Sequence, residues 1–163
     1  MEVILKKVET DIDIEKTAET AKEIWTQHFT PIIGAEQVKY MLEKFQSHRA
    51  ISNQIKREGY TYLNVIANGE IIGYTGFKKD GSRMFLSKLY VKKEYRGMGV
   101  SRIMLNEIIK CSSDMDGIYL TVNKYNYNTI EIYKHMGFKI IDSAETDIGN
   151  SFIMDDYILQ LNI

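Results

Sequence analysis

The sequence predicts an α+β fold: a mixed, mainly antiparallel sheet with helices on both faces and one strand–helix–strand crossover. Three features point there. The middle of the chain alternates strand-like segments with two tight-turn dipeptides. After residue 93 the order becomes strand, helix, strand, helix, which fits a parallel pair joined by a right-handed crossover. The first third carries helical periodicity behind one short strand. With 163 residues the chain suits a single domain, 1–163, large enough to bury a core without disulfides or metal.

Residues 3–8 (VILKKV) form the opening strand. An amphipathic helix over 12–28 places Ile14, Ala18, Ala21, Ile24, Trp25 and His28 at helical spacing. Pro31 and Gly34 are expected to break the chain. A second helix over 35–46 carries Val38, Met41, Leu42 and Phe45 on one face, and a weaker one over 48–58 stops at Gly59. The segments 60–67, 70–79 and 83–93 are rich in β-branched and aromatic residues. Asn68-Gly69 and Asp80-Gly81 separate them, so they predict a three-stranded meander. A glycine-bearing turn at 96–99 leads to a helix over 100–112 whose apolar face holds Val100, Ile103, Met104, Ile108 and Cys111. A strand at 117–122, a helix at 127–136 and strands near 138–143 and 151–160 complete the chain.

The composition removes several function classes. Lysine plus arginine number 21 against 22 aspartate plus glutamate, a net charge of −1. A nucleic-acid partner would call for a basic excess or stripe, and none is seen. No apolar run approaches the ~18 residues of a membrane span. The apolar run near the N-terminus is too short for a signal peptide, and Cys111 is the sole cysteine, so no internal disulfide forms. A cytoplasmic location is the expectation. His48 and His135 fit no ligand spacing, so no metal is expected.

Chemistry concentrates in Leu89–Ser101. A strand ends, glycines 97 and 99 form a turn, and an apolar-faced helix begins. The first amides of a helix lack internal partners, and the helix dipole makes that end positive. Glycines leave those amides open to an anion, and Arg96 adds a cation. Glycines alone would equally serve a tight turn; the arginine, the strand and the helix together favour an anion cradle.

Arg96-Gly97-Met98-Gly99-Val100-Ser101 resembles the Q/R-x-x-G-x-G/A signature of the GNAT superfamily of N-acetyltransferases, with Ser101 in place of the usual Gly or Ala. A second segment, from Leu120 to Phe138, resembles the superfamily's V-x-x-x-N-x-x-A-I-x-L-Y-x-x-x-G-F; Thr129 replaces Ala and Ile132 replaces Leu. The resemblance implies a GNAT-like sheet and acetyl-coenzyme A (acetyl-CoA) as cosubstrate. It implies that the amides of 97–102, including Met98 and Arg102, hold the pyrophosphate. It places the strand end Leu89, Tyr90, Val91 beside the cofactor, Asn126 at the pantetheine arm or in a role ordering the nearby backbone, and Tyr133 at the thioester sulfur. Taken without the resemblance, Tyr133 would read as core and Asn126 as a helix cap.

Acetylating an amine requires its neutral form, about one molecule in 10³ at pH 7, a handicap of roughly 4 kcal/mol. A base must offset it. Many relatives carry a glutamate on the fourth strand; here Phe85–Leu89 holds no carboxylate, with Ser87 and Lys88 in that region. Glu36, His28, Glu70 and a relayed water stay open. The N-terminal helices, with Trp25, His28, Phe29 and Tyr40 as acceptor-lining candidates, resemble those of bacterial diamine and polyamine N-acetyltransferases, as does the segment DIGNSFIMDDY. That implies a small amine acceptor, anchored by carboxylates such as Glu36, Asp155 and Asp156. A protein N-terminal or lysine acetyltransferase is the alternative, and a non-catalytic acyl-CoA-binding regulator is the alternative from another class. Many relatives dimerise through the terminal strands, which leaves a homodimer open.

Overall fold

A computed structural model describes residues 1–163. Strand β1 (Ile4–Lys7) precedes three helices, α1 (Asp11–Ile33), α2 (Ala35–Phe45) and α3 (His48–Arg57). Strands β2 (Thr61–Ala67), β3 (Glu70–Asp80) and β4 (Arg83–Val91) follow, then a single 3₁₀ turn at Lys93–Tyr95 and helix α4 (Val100–Cys111). Strand β5 (Gly117–Asn123), helix α5 (Tyr127–His135) and strands β6 (Lys139–Gly149) and β7 (Phe152–Asn162) end the chain. All seven strands form one sheet in the order β1-β2-β3-β4-β5-β7-β6. Only β4 and β5 run parallel, joined by α4. The predicted meander and crossover are both present.

Local chemistry sets the helix limits. Thr10 caps α1 with a complete capping box: its hydroxyl accepts from the Asp13 amide at 3.1 Å, and the Asp13 carboxylate accepts from the Thr10 amide at 3.2 Å. Pro31 does not end α1, contrary to expectation. It falls in the last turn, where its missing N–H forfeits a single bond. Phe29, Ile32 and Ile33 meanwhile pack with Trp25, Val38 and Met41, which holds the turn in place. The helix stops at Gly34, whose amide bonds Thr30 O at 3.0 Å.

Helices cover both faces of the sheet. On one, Ile14, Ala21 and Ile24 of α1 and Ile51 of α3 bury Tyr62 and Tyr74. On the other, Leu105 and Ile108 of α4 and Ile130 and Tyr133 of α5 pack on Met84, Leu86, Ile118, Leu120 and Leu159. Ile103 and Cys111, assigned to the apolar face of α4 by spacing, are exposed; Val100, Met104, Leu105 and Ile108 form the buried face.

β6 and β7 are longer than the sequence predicts and form a hairpin around Asn150-Ser151, both at positive φ (53° and 63°). The DIGNSFIMDDY segment is therefore the tip and return strand of this hairpin. β6 is an edge strand, almost wholly exposed and with register shifts near both ends. It has no buried face to impose alternation on its sequence. No helix is long and apolar enough to cross a membrane.

Two features of β4 position everything that follows. Leu86 pairs with Phe77 and Lys88 with Gly76, so Ser87 is an unpaired bulge. A bulge bends its strand and shifts side-chain alternation by one residue. Met84 and Leu86 consequently face α4 and α5, whereas Lys88 and Tyr90 face the N-terminal helices. The parallel pairing of β4 with β5 stops just before the bulge, at Phe85↔Tyr119. Beyond it the two strands part.

Candidate active site

Where β4 and β5 separate, a cleft of about 1000 Å³ passes between the two faces of the sheet. Its walls include Leu86–Val91 of β4 and Leu120–Asn123 of β5. β4 has lost its neighbour on that side, so outward backbone groups near Leu89, Tyr90 and Val91 face the cleft instead of a strand.

The turn at 96–99 and the start of α4, where the sequence suggests an anion cradle, form one mouth. Gly97 and Gly99 take φ of +79° and +80°, a conformation costly for other residues, and a Cβ built at either meets no atom within 4 Å. The amides of Gly97, Met98 and Gly99 donate no backbone hydrogen bond, and those of Val100, Ser101 and Arg102 open α4, where no internal carbonyl reaches them. A row of free donors thus borders open space, which suits a diphosphate. Arg96, Gly97, Gly99, Val100, Ser101 and Arg102 line the cleft. The Met98 side chain does not; it is 58% exposed, so this residue can contribute only through its backbone.

Arg96 is fixed by a bond from its Nε to Val91 O at 3.0 Å. Its Nη1 approaches His28 Nδ1 at 3.4 Å, and His28 Nε2 lies 3.1 Å from Asn126 Oδ1. A guanidinium only donates, so Nδ1 accepts and the Nε2–H donates to Asn126. Burial is the main cause pushing the His28 pKa below its usual value; the bond to Asn126 opposes it in part, and the Arg96 charge adds a smaller downward effect. His28 is therefore neutral at pH 7. Asn126 sits at the N-cap position of α5, yet its side chain makes no cap bond. It is committed to His28 instead.

Tyr133, on α5, is nearly buried and lines the cleft. Its ring packs edge-on against Phe138 at 5.4 Å. Burial raises the phenol pKa well above its usual value, so the hydroxyl stays protonated.

The cleft continues under the N-terminal helices, where the sequence suggests an acceptor. Trp25 and Phe29 meet the Tyr90 ring edge-on at 5.6 and 6.0 Å, and all three line the cleft with His28. Tyr40, expected there too, is elsewhere: its hydroxyl donates to Ile148 O at 2.7 Å and its ring packs on Phe152. It serves to dock the β6–β7 hairpin on α2. Glu36 lies beside it in a separate shallow groove. Glu70 is held by Lys92 at 3.0 Å and Tyr95 at 3.3 Å, outside the cleft. Neither is placed to act as a base. Asp155 pairs with Lys124 at 2.8 Å on the opposite face of β7. Asp156 and Glu58 are the carboxylates of the cleft wall.

Lys88 was only weakly indicated by the sequence, and Gln54 and Glu58 not at all. Lys88 is 4% exposed, with Nζ 2.8 Å from Phe45 O and 2.6 Å from Gln54 Oε1, and in contact with the Tyr62 hydroxyl. Burial pushes its pKa down to about 7, with Glu58 opposing weakly. A lysine on a strand ordinarily reads as solvent-facing, and the bulge at Ser87 that turns it inward has no sequence signature. No group of three or more His, Cys, Asp or Glu is placed to hold a metal.

Known proteins resemble the chain in sequence and in fold. The acetyltransferase (GNAT) family model matches residues 18–138. A spermidine N(1)-acetyltransferase of Thermoplasma acidophilum is 27% identical over 162 residues, covering 95% of this chain and 97% of that protein. An N-alpha-acetyltransferase 50 of Danio rerio is 29% identical over 105 residues, 63% of this chain and 62% of its own length. Among solved structures, a PaiA N-acetyltransferase from Thermoplasma acidophilum in complex with coenzyme A shares the fold with a TM-score of 0.85, at 23% identity and full coverage of both chains.

Proposed function

The chain belongs to the acetyltransferase (GNAT) family, and on that premise we propose that it moves the acetyl group of acetyl-CoA directly to a primary amine of a small polycationic acceptor such as a polyamine. The observation that carries this reading is the cleft itself, which joins an anion cradle at one mouth to a carboxylate-bearing aromatic chamber beneath α1. The similarity to a spermidine N(1)-acetyltransferase over nearly the whole chain supports the acceptor class.

The free amides of 97–102 and the Arg96 guanidinium would hold the pyrophosphate. Asn126 and the unpaired edge of β4 at Leu89–Val91 would receive the pantetheine arm. Acetyl-CoA supplies a thioester carbonyl when bound. Amides at the end of β4 would donate to the oxyanion that develops on it. The protonated Tyr133 hydroxyl would give its proton to the departing sulfur. Trp25, Phe29 and Tyr90 would exclude water and offer ring faces to a cationic chain.

The similarity to an N-alpha-acetyltransferase supports a second reading, in which the acceptor is a protein N-terminus. An acceptor panel separates the two. Released thiol is read with spermidine, a monoamine, an N-terminal peptide and a lysine peptide, each at the same acetyl-CoA concentration. Highest kcat/KM for spermidine supports the polyamine reading, and highest kcat/KM for the N-terminal peptide replaces it. Tight binding of acetyl-CoA with no transfer to any amine would turn the protein into an acyl-CoA-binding regulator.

A further inference from the structure

Asp156 is 94% buried as a residue, its carboxylate opens on the cleft, and no side chain or amide of the chain bonds to that carboxylate. Its neighbour accounts for half of this. Strand alternation sends Asp155 to the opposite face, where Lys124 neutralises it at 2.8 Å; Asp156 turns with Met154 toward the cleft. The cations of the cleft are otherwise engaged: Arg96 on Val91 O, and Lys88 on Phe45 O and Gln54. Arg102 belongs to the first turn of α4, at the cradle. A buried carboxylate without a partner is expensive and persists where function needs it. The groups near its charge are Tyr90 of β4, Asp155 beside it and Lys124 behind it, with Tyr133 of α5 next to Tyr90. None of them supplies a cation to the cleft side.

We infer that Asp156 is the catalytic residue that docks the acceptor ammonium and then takes its proton. The assignment rests on the amine-acetyltransferase reading above. The ammonium N–H first donates to the carboxylate, a charge-assisted contact. One proton then moves from nitrogen to a carboxylate oxygen. The freed lone pair forms the N–C bond to the thioester carbonyl, and the C–S bond breaks. The sulfur receives the Tyr133 proton, the second amine proton restores Tyr133, and Asp156 releases the first to solvent. One amide, one thiol and one proton result. Burial, the largest effect, and the Asp155 charge raise the Asp156 pKa to about 6, against the opposing charge of Lys124. The residue is thus ionised at neutral pH and a stronger base than an ordinary carboxylate.

Asp156→Asn keeps the shape and removes the base. At pH 7 its kcat/KM for spermidine should fall about 10²-fold or more, with acetyl-CoA affinity by calorimetry unchanged. The gap should narrow toward pH 10, where solution supplies neutral amine, a rescue that a merely structural role would not give. Wild-type kcat/KM should be level above about pH 6 and break downward below it, whereas the variant should show no break there and climb steadily with pH toward 10 as neutral amine accumulates. A second readout is independent of turnover. Removing an unpaired buried charge should raise the thermal midpoint at pH 7, with the difference vanishing near pH 4, where the wild-type carboxyl is protonated when folded. A lowered midpoint at pH 7 would show a partnered, structural carboxylate and overturn the assignment. So would near-wild-type kcat/KM in Asp156→Asn. Wild-type protein that binds acetyl-CoA yet acetylates no amine would overturn the reading and the assignment together.

Discussion

His28 Nε2 lies 3.1 Å from Asn126 Oδ1, across 98 positions of sequence. With Arg96 on the other ring nitrogen at 3.4 Å, this neutral imidazole ties α1, the turn before α4 and the start of α5 into one polar chain. If the chain positions the cradle as a unit, its members are coupled. His28→Ala and Asn126→Ala should each weaken acetyl-CoA binding, and the double variant should lose less than the sum, by about 1 kcal/mol. Calorimetry on the four proteins of the cycle checks this; strict additivity would show that the contact carries no energy.

Gly99 tests the cradle. Its φ of +80° disfavours any side chain, and the space beside it is open. Gly99→Val should push into the volume a diphosphate would occupy and reset the first turn of α4. Acetyl-CoA affinity should drop at least about tenfold, 1.4 kcal/mol, in a variant whose circular dichroism matches wild type. Unchanged affinity would remove the cradle from the account.

Tyr133→Phe deletes one hydroxyl and leaves the ring on Phe138 in place. Turnover should fall about 10²-fold while acetyl-CoA affinity stays near wild type. Turnover at the wild-type level would make Tyr133 a packing residue.

Lys88 makes a prediction about stability. Its pKa is about 7 when folded and 10.5 as a free side chain. Between those values the unfolded chain holds a proton that the folded chain has lost, so stability should rise as pH increases from about 7 toward 10. Below 7 both states are charged and the full burial penalty applies. Lys88→Met should be more stable than wild type at pH 7 and should lose this rise. Gln54 and Tyr62 keep their mutual bond of 2.5 Å, and Gln54 keeps Phe45 O at 3.1 Å, so little is orphaned. Urea midpoints at several pH values decide it; a destabilised variant would show that the lysine is held by net favourable bonds.

Much of this architecture is legible in the sequence because it is written in local chemistry. Asn68-Gly69 and Asp80-Gly81 fix the meander, and the glycines at 97 and 99 mark the left-handed turn ahead of α4 before any tertiary contact is known. What is not legible depends on one neighbour over another. The bulge at Ser87 shifts the facing of Lys88 through pairing with β3, and nothing in Phe85–Leu89 announces it. Asp155 and Asp156 look alike as a pair; only strand alternation and Lys124 make one structural and the other free. Tyr40 has the composition of an acceptor-lining residue, but the hairpin carbonyl of Ile148 claims its hydroxyl. Pro31 signals a break that hydrophobic packing of the final turn overrides.

The most direct test of the central claim is the ratio of kcat/KM for spermidine to that for a monoamine of similar length, measured as thiol released from acetyl-CoA at pH 7. A cleft whose wall carries the carboxylates Glu58 and Asp156 should favour the polyamine, by a margin that shrinks as salt screens charge over about 8–10 Å. A ratio near one at low salt, or faster transfer to a peptide N-terminus than to either amine, would contradict it.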